Sequence, residues 1–137
     1  KVTPQEGEIN VPVGRLPWNR MRFGVITMGR EARTLYKVTQ YTKLKTDKKE
    51  EILSLLELYP KTGRTHQIRV HLLYIGHPIF ADALYAGRKN IKFDRKFLSR
   101  HFLHAAKIKF EHPKTRDRLE LESPLPQELS DLTSQLL

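Results

Sequence analysis

The chain contains no cysteine among its 137 residues. This absence excludes disulfide bonds, thiolate metal sites and cysteine nucleophiles together, and it fits a reducing compartment. The sequence has no run of about 20 apolar residues, the length that a membrane-spanning helix requires. It begins at Lys1 with no basic-then-apolar leader, which predicts no secretion. We therefore expect a cytoplasmic or organellar protein without a membrane partner, and the non-Met start indicates a trimmed chain or a piece of a longer one.

Acidic residues are scarce in one part of the chain, and basic residues are missing from another. The formal net charge is +10. Residues 86–118 contain 11 Lys and Arg against 3 Asp and Glu, whereas residues 119–137 contain 4 acids and no Lys or Arg. A concentrated positive surface attracts polyanions, with RNA or DNA as the first candidates. A solvated basic face that only keeps the protein soluble explains the same pattern equally well.

Hydrophobic alternation and turn residues predict an α+β fold with a mainly antiparallel sheet. Pro12 places the first strand at an edge, and residues 46–49 form a hairpin turn. The basic residues 87–100 are expected to be irregular. The predicted strands are residues 8–13, 33–44, 51–59, 102–110 and 119–122. Pro126 opens a final helix that carries Leu129, Leu132 and Leu136 on one side.

A helix is also predicted from a cap at Thr62 or Thr65 to about Ile75, with Gly76 as its stop. At about 100° per residue, its apolar residues fall on two sides, so both sides are expected to be buried. These residues are Ile68, Leu72 and Ile75 on one side, and Val70, Leu73 and Tyr74 on another. Arg69 falls between them and needs an acceptor, because an unpaired buried charge is costly. A core ion pair with Glu57 or Asp82 satisfies this need, and so does a catalytic carboxylate or an RNA phosphate.

The run Thr62-Gly63-Arg64-Thr65-His66-Gln67-Ile68-Arg69-Val70-His71 is the most informative part of the sequence. Ile75-Gly76-His77-Pro78-Ile79, Asp82, Tyr85, Leu103-His104-Ala105, His112-Pro113 and Leu125-Pro126 follow it in order. Together these elements resemble the signature of the RluA family of RNA pseudouridine synthases over most of residues 31–137. Ala81 and Ala86 stand near positions where that family often has glycine, and we expect small local adjustments there.

The resemblance implies a fold, a reaction and a set of site residues. Family members convert selected uridines of ribosomal or transfer RNA to pseudouridine, without metal or organic cofactor. The nucleotide is flipped into a pocket, an aspartate attacks it, and the uracil rotates and rejoins through carbon. By position, Arg69 matches the residue that pairs with this aspartate. Active-site support is expected from Arg64, Thr65, His66, Gln67 and Ile68. RNA contacts are expected from Arg64, His71, Arg88, Lys89, Lys92, Arg95 and Lys96.

The nucleophile itself is missing from the sequence. In the family it lies upstream in an Arg-Leu-Asp context, and that tripeptide does not occur here. Asp82 matches a different family position, where bonding to backbone or to a nearby base is expected. We therefore expect residues 1–137 to be the C-terminal part of a catalytic domain, with residues 1–30 as an irregular, strand-containing entry segment. The remainder of the domain is expected upstream, and the chain alone is expected to be inactive.

Three rival functions remain open from the sequence. A non-catalytic RNA-binding module would use the basic stretch and its interleaved aromatic residues Phe93, Phe97, Phe102 and Phe110, although core packing is favoured for Phe102 and Phe110. A metal hydrolase is suggested by six histidines, but His66 and His71 are five apart and diverge by roughly 140° on a helix. A nuclease lacks the carboxylate cluster that two metals require.

Overall fold

A three-stranded antiparallel sheet forms the centre of the protein. The computed structural model describes residues 1–47 and 49–136. Strand β4 (Arg33–Thr46) lies between β1 (Glu6–Asn10) and β5 (Lys49–Pro60). The predicted strands at 33–44 and 51–59 are confirmed, and β1 lies at a sheet edge as expected. The predicted first strand ends earlier than expected, at Asn10, and the predicted turn at 46–49 includes Lys48, which lies outside the described residues.

Two further hairpins extend from this sheet. Strands β2 (Val13–Leu16) and β3 (Asn19–Val25) pair with each other, as do β6 (Lys107–Glu111) and β7 (Arg118–Glu122). The prediction of one strand over 102–110 is wrong in its first half, because residues 102–106 are not in a strand. Phe102 packs against the core as favoured, but Phe110 is 40% exposed, so core packing does not hold for it.

The described residues also form three helices, of which α1 contacts β3 and β4, and α3 contacts β4. They are α1 (Gln67–Tyr74), α2 (Arg88–Asp94) and α3 (Gln127–Leu136). The α+β prediction is therefore confirmed, and α3 buries Leu129 and Leu132 as expected. The expectation of an irregular 87–100 segment is wrong, because α2 occupies half of it. Among the described residues, no helix is long and apolar enough to cross a bilayer.

Helix α1 contacts two hydrophobic clusters, as its two apolar sides predict. Leu72 belongs to a cluster with Tyr36 and Val38 of β4, whereas Val70 packs with a second cluster around Tyr85. Tyr74 is the exception, at 57% exposed. The predicted caps are wrong: His66 occupies the N-cap position with φ 54°, and no side chain caps the helix. Gly76 ends the helix as predicted, with φ 80°.

Candidate active site

Arg69 projects from α1 into an ion pair with Asp82. Its Nε and Nη2 atoms each donate a hydrogen bond of 2.8 Å, to Oδ2 and Oδ1 respectively. The Asp82 side chain is 0% exposed and that of Arg69 is 15% exposed. Asp82 Oδ1 also accepts hydrogen bonds from the backbone N–H groups of Leu84 and Tyr85. Of the two carboxylates considered from the sequence, Asp82 is therefore the one that Arg69 binds.

Arg69 and Asp82 each stabilise the charged form of the other. Burial acts to raise the pKa of Asp82, but the hydrogen bond and the positive charge of Arg69 outweigh it, so the pKa lies below its usual value. The same hydrogen bond raises the pKa of Arg69. The guanidinium also lies over the ring of Tyr85, with Cζ 4.9 Å from its centroid. Nη1 makes no hydrogen bond within residues 1–47 and 49–136, so Arg69 retains donors for a second acceptor.

His66 lies beside this pair in a left-handed backbone conformation. Such a conformation costs a non-glycine residue energy and often marks a functional site. The His66 Nδ1 atom is 2.8 Å from the Tyr85 hydroxyl oxygen, which accepts a hydrogen bond of 3.0 Å from the Phe23 N–H. Burial, and then the charge of Arg69, lower the pKa of His66. Since the Tyr85 hydroxyl already accepts from Phe23, we expect it to donate a hydrogen bond to Nδ1 of a neutral imidazole whose own proton lies on Nε2.

This geometry predicts the tautomer of His66. We expect the Nε2–H form to dominate at neutral pH in the wild-type chain, because the Tyr85 hydroxyl donates to Nδ1. Substituting Tyr85→Phe removes that donor and should shift His66 toward a mixture of tautomers. Nitrogen-15 NMR of the imidazole distinguishes the forms. His104, whose Nε2 contacts the backbone oxygen of Ser123, should be unaffected, and an unchanged His66 spectrum in the variant would contradict the assignment.

Gln67 connects the motif to the central sheet. Its Oε1 accepts hydrogen bonds from the Thr62 hydroxyl and the Arg64 N–H, at 2.7 and 3.0 Å. Its Nε2 donates to the Arg33 carbonyl and to the Thr34 hydroxyl, both at 3.0 Å. Because Gln67 is only 4% exposed, these bonds satisfy a buried amide and hold the segment before α1 against β4. Its expected support of the active site stays a prediction, with this bracing as its physical basis.

His71 does not reach the surface, so the expectation that it contacts RNA is wrong. Its side chain is 0% exposed. Nδ1 is 2.8 Å from the Thr34 hydroxyl and Nε2 is 3.0 Å from the Val11 carbonyl oxygen. A carbonyl accepts only, so Nε2 carries the proton and Nδ1 accepts from Thr34. His71 fell on the predicted RNA face because motif position alone does not distinguish an inward imidazole from an outward one.

The remaining predicted RNA contacts divide into two groups. Arg64 is half-buried, and its Nε donates to the Glu31 carbonyl at 2.8 Å. The five others are exposed on or just after α2: Arg88, Lys89, Lys92, Arg95 and Lys96. Phe93 and Phe97 beside them pack against each other with ring centroids 5.4 Å apart. The cations are therefore available to a partner, whereas the two rings are partly occupied with each other.

One buried and three half-buried histidines predict a loss of stability in mild acid. Burial is the largest influence on the pKa of His66, His71, His77 and His101, and it lowers each below 6.5. As the pH falls, these histidines are therefore protonated at a higher pH in the unfolded chain than in the folded protein. Stability from these groups is present above about pH 6.5 and is lost as the pH falls through the folded-state values. Urea unfolding at about pH 7.5 and 5.5 should show a lower free energy at the acidic pH. Equal values would contradict this assignment.

Several site residues have no counterpart among the sequence predictions. Tyr85 contacts His66, Phe23 and Arg69. The Arg22 Cζ atom also lies 5.1 Å from the Tyr85 ring centroid. The spacing Asp82 to Tyr85 was the available signal for Tyr85. Nothing local in the sequence pairs β3 with this ring. No group of three or more His, Asp or Glu suited to a metal occurs within the described ranges.

Comparisons with known proteins identify the fold and the family. The structure of human RNA Pseudouridylate Synthase Domain Containing 1 superimposes with a TM-score of 0.76 at 23% identity, over 96% of this chain and 54% of that one. An RNA pseudouridine synthase of Chloroflexus aurantiacus is 42% identical over 97% of this chain, which covers 38% of that protein. Ribosomal large subunit pseudouridine synthase D of Vibrio cholerae is 38% identical over 93% of this chain, which covers 39% of that protein.

The family model for RNA pseudouridylate synthase matches residues 4–74, more than half of the chain. The chain therefore belongs to the RNA pseudouridylate synthase family, and the resemblance to its RluA type is confirmed. The chain spans about two fifths of the length of these curated relatives.

Proposed function

We propose that this chain forms the C-terminal part of the catalytic domain of an enzyme that isomerises uridine to pseudouridine in ribosomal or transfer RNA. The observation that carries the proposal is the Arg69–Asp82 pair. It holds a guanidinium rigidly in a half-buried site with Nη1 still able to donate. A second carboxylate brought to Nη1 would be held in its ionised form, as a nucleophile requires. No metal or organic cofactor is needed for this role.

The nucleophile is proposed to come from outside residues 1–137. Asp82 is fully buried and committed to Arg69. Asp94 is 4% exposed and accepts a hydrogen bond of 2.8 Å from the Ala81 N–H. Burial raises the pKa of Asp94, which disfavours the ionised form. Neither buried aspartate is therefore placed to attack a nucleotide, and an upstream Arg-Leu-Asp segment is the proposed source.

The experiment compares two polypeptides on one RNA. The pure 137-residue chain should produce no pseudouridine, whereas a longer protein that includes the upstream Arg-Leu-Asp segment should produce it. Mass spectrometry of nuclease-digested RNA, after chemical tagging of pseudouridine, measures the product. The matched control changes the upstream aspartate to asparagine, which should abolish the product while leaving RNA binding. Pseudouridine formed by the 137-residue chain alone would refute the proposed division of roles.

A non-catalytic RNA-binding module is the second candidate, and the exposed cations on α2 favour it. Those five side chains, named above, form no ion pair within the described residues. Such a surface binds phosphates in either kind of protein. The upstream sequence discriminates the two functions, because an Arg-Leu-Asp segment there indicates the enzyme and its absence indicates the module.

A further inference from the structure

The β2–β3 hairpin exposes large apolar side chains at its tip and beside its base. Trp18 lies in the turn between the two strands and is 77% exposed, Met21 on β3 is 80% exposed, and Met28 just beyond β3 is 95% exposed. The exposed indole of Trp18 offers a flat apolar face on which a partner can stack. The charged residues around these side chains indicate which kind of partner binds there.

The hairpin and its flanks carry only positive charge. Residues 9–30 include Arg15, Arg20, Arg22 and Arg30 and no Asp or Glu. Within residues 1–47 and 49–136, no carboxylate forms an ion pair with any of these arginines. The Arg22 Nε atom is buried and has no hydrogen-bond partner in the same ranges. Arginines without a carboxylate partner leave this surface positive and attractive to a polyanion.

A cleft lies between the hairpin and residues Gly63, Arg64 and Thr65 of the Thr62–His71 run. Its volume is about 470 Å³. Its walls include the arginines Arg15, Arg30 and Arg64 and the apolar residues Phe23 and Met28. The Arg15 guanidinium lies over the Phe23 ring at 4.8 Å from the centroid and donates to the Arg20 carbonyl across the hairpin. Cations and an aromatic face in one open cleft suit a sugar-phosphate backbone with an unstacked base.

We infer that this hairpin binds an unpaired RNA strand next to the target nucleotide, with Trp18 stacked on a base. The cleft arginines Arg15, Arg30 and Arg64 contact the phosphates. This inference rests on the proposed RNA substrate and adds the place and chemistry of a flanking contact. Stacking on an aromatic side chain tolerates any base, so the site reads single-strandedness more than sequence.

Trp18 is the single tryptophan of the chain, so its fluorescence reports on the hairpin tip directly. Titration with a single-stranded oligouridine RNA should quench the emission, and an RNA duplex should quench it much less. Trp18→Ala should weaken oligouridine binding about ten-fold or more, and Trp18→Phe should retain part of the affinity. Arg30→Gln, which removes one cleft cation, should lower the slope of log affinity against log salt by about 1. The thermal melts should stay unchanged, because Trp18 is exposed.

Ile108→Ala provides the matched control, since Ile108 is 58% exposed on β6 of a different hairpin. It should bind oligouridine like the wild type. Wild-type affinity in Trp18→Ala would overturn the inference while leaving the proposed function intact. A concentration-dependent blue shift of Trp18 emission without RNA would also overturn it, by assigning the tip to a protein contact. If oligouridine did not quench Trp18 emission, the inference would also be overturned. Pseudouridine formation by the longer protein tests the proposed function separately.

Discussion

Replacement of Arg69 by alanine is expected to lower the free energy of unfolding by about 3–5 kcal/mol, because it leaves the Asp82 carboxylate buried without its cation. A domain of this size has only about 5–15 kcal/mol in total. The variant is thus expected to be marginally folded at best. Asp82 would keep its bonds to the Leu84 and Tyr85 N–H groups, which limits the loss. Urea unfolding followed by circular dichroism measures the change.

A double-mutant cycle separates the ion pair from its surroundings. Asp82→Asn combined with Arg69→Leu removes both charges, and it should be less destabilising than the sum of the two single changes. A loss below about 1 kcal/mol in Arg69→Ala would contradict a buried pair.

In the longer protein, Arg69→Lys keeps a cation but loses the bidentate hydrogen bond to Asp82. We expect it to retain RNA binding and lose activity, and wild-type turnover would contradict the proposed role of Arg69.

Replacement of His71 by alanine is expected to cost about 3 kcal/mol of stability, and the affinity of the folded protein for RNA should stay unchanged. The substitution empties a fully buried space and removes the partners of the Thr34 hydroxyl and the Val11 carbonyl. Cavity formation and unsatisfied polar groups contribute comparable amounts. Urea unfolding gives the first quantity, and RNA titration at a temperature where the variant is folded gives the second.

Lys89→Ala is the matched comparison, because Lys89 is an exposed cation of α2. Its expected pattern is the opposite one: stability within about 0.5 kcal/mol of wild type and weaker RNA binding with a smaller salt dependence. If His71→Ala weakened RNA binding while leaving stability unchanged, the imidazole would have to face the RNA. That result would contradict the inward position of His71.

The sequence was sufficient to predict the antiparallel pair β4–β5. Alternation of apolar residues over 33–44 and 51–59 is a local property, so it predicts strands without knowledge of their neighbours. Arg69 could likewise be placed at a buried position from its helical phase. Helix α2 was missed because its residues are mostly polar, so no hydrophobic period marks it. The cap at His66 was missed because a left-handed histidine is held by tertiary contacts with Tyr85.

The division of roles within the motif could not be predicted. Gln67 and His71 bond to Thr34 on β4, and Asp82 bonds to Arg69 across 13 positions. Such pairings depend on how α1 docks on the sheet, which one sequence does not specify. Ala81 illustrates the reverse case. Its φ of 59° lies in the region that favours glycine, and the small adjustment expected near this position stays a prediction.

A continuous series of hydrogen bonds runs from Thr62 through Gln67, Thr34 and His71 to the Val11 carbonyl. Each hydrogen in this series has only one acceptor to which it can be donated. The Arg33 N–H donates to the Thr62 hydroxyl, which donates to Gln67; Gln67 donates to the Thr34 hydroxyl. Thr34 must then donate to His71, and His71 to Val11. If His71 gained a second proton, its Nδ1–H would donate to the Thr34 hydroxyl. The hydroxyl hydrogen of Thr34 would then lose its acceptor inside the protein. The hydrogen bonds therefore all point in one direction, and protonation of His71 would break the series at Thr34, between Gln67 and His71.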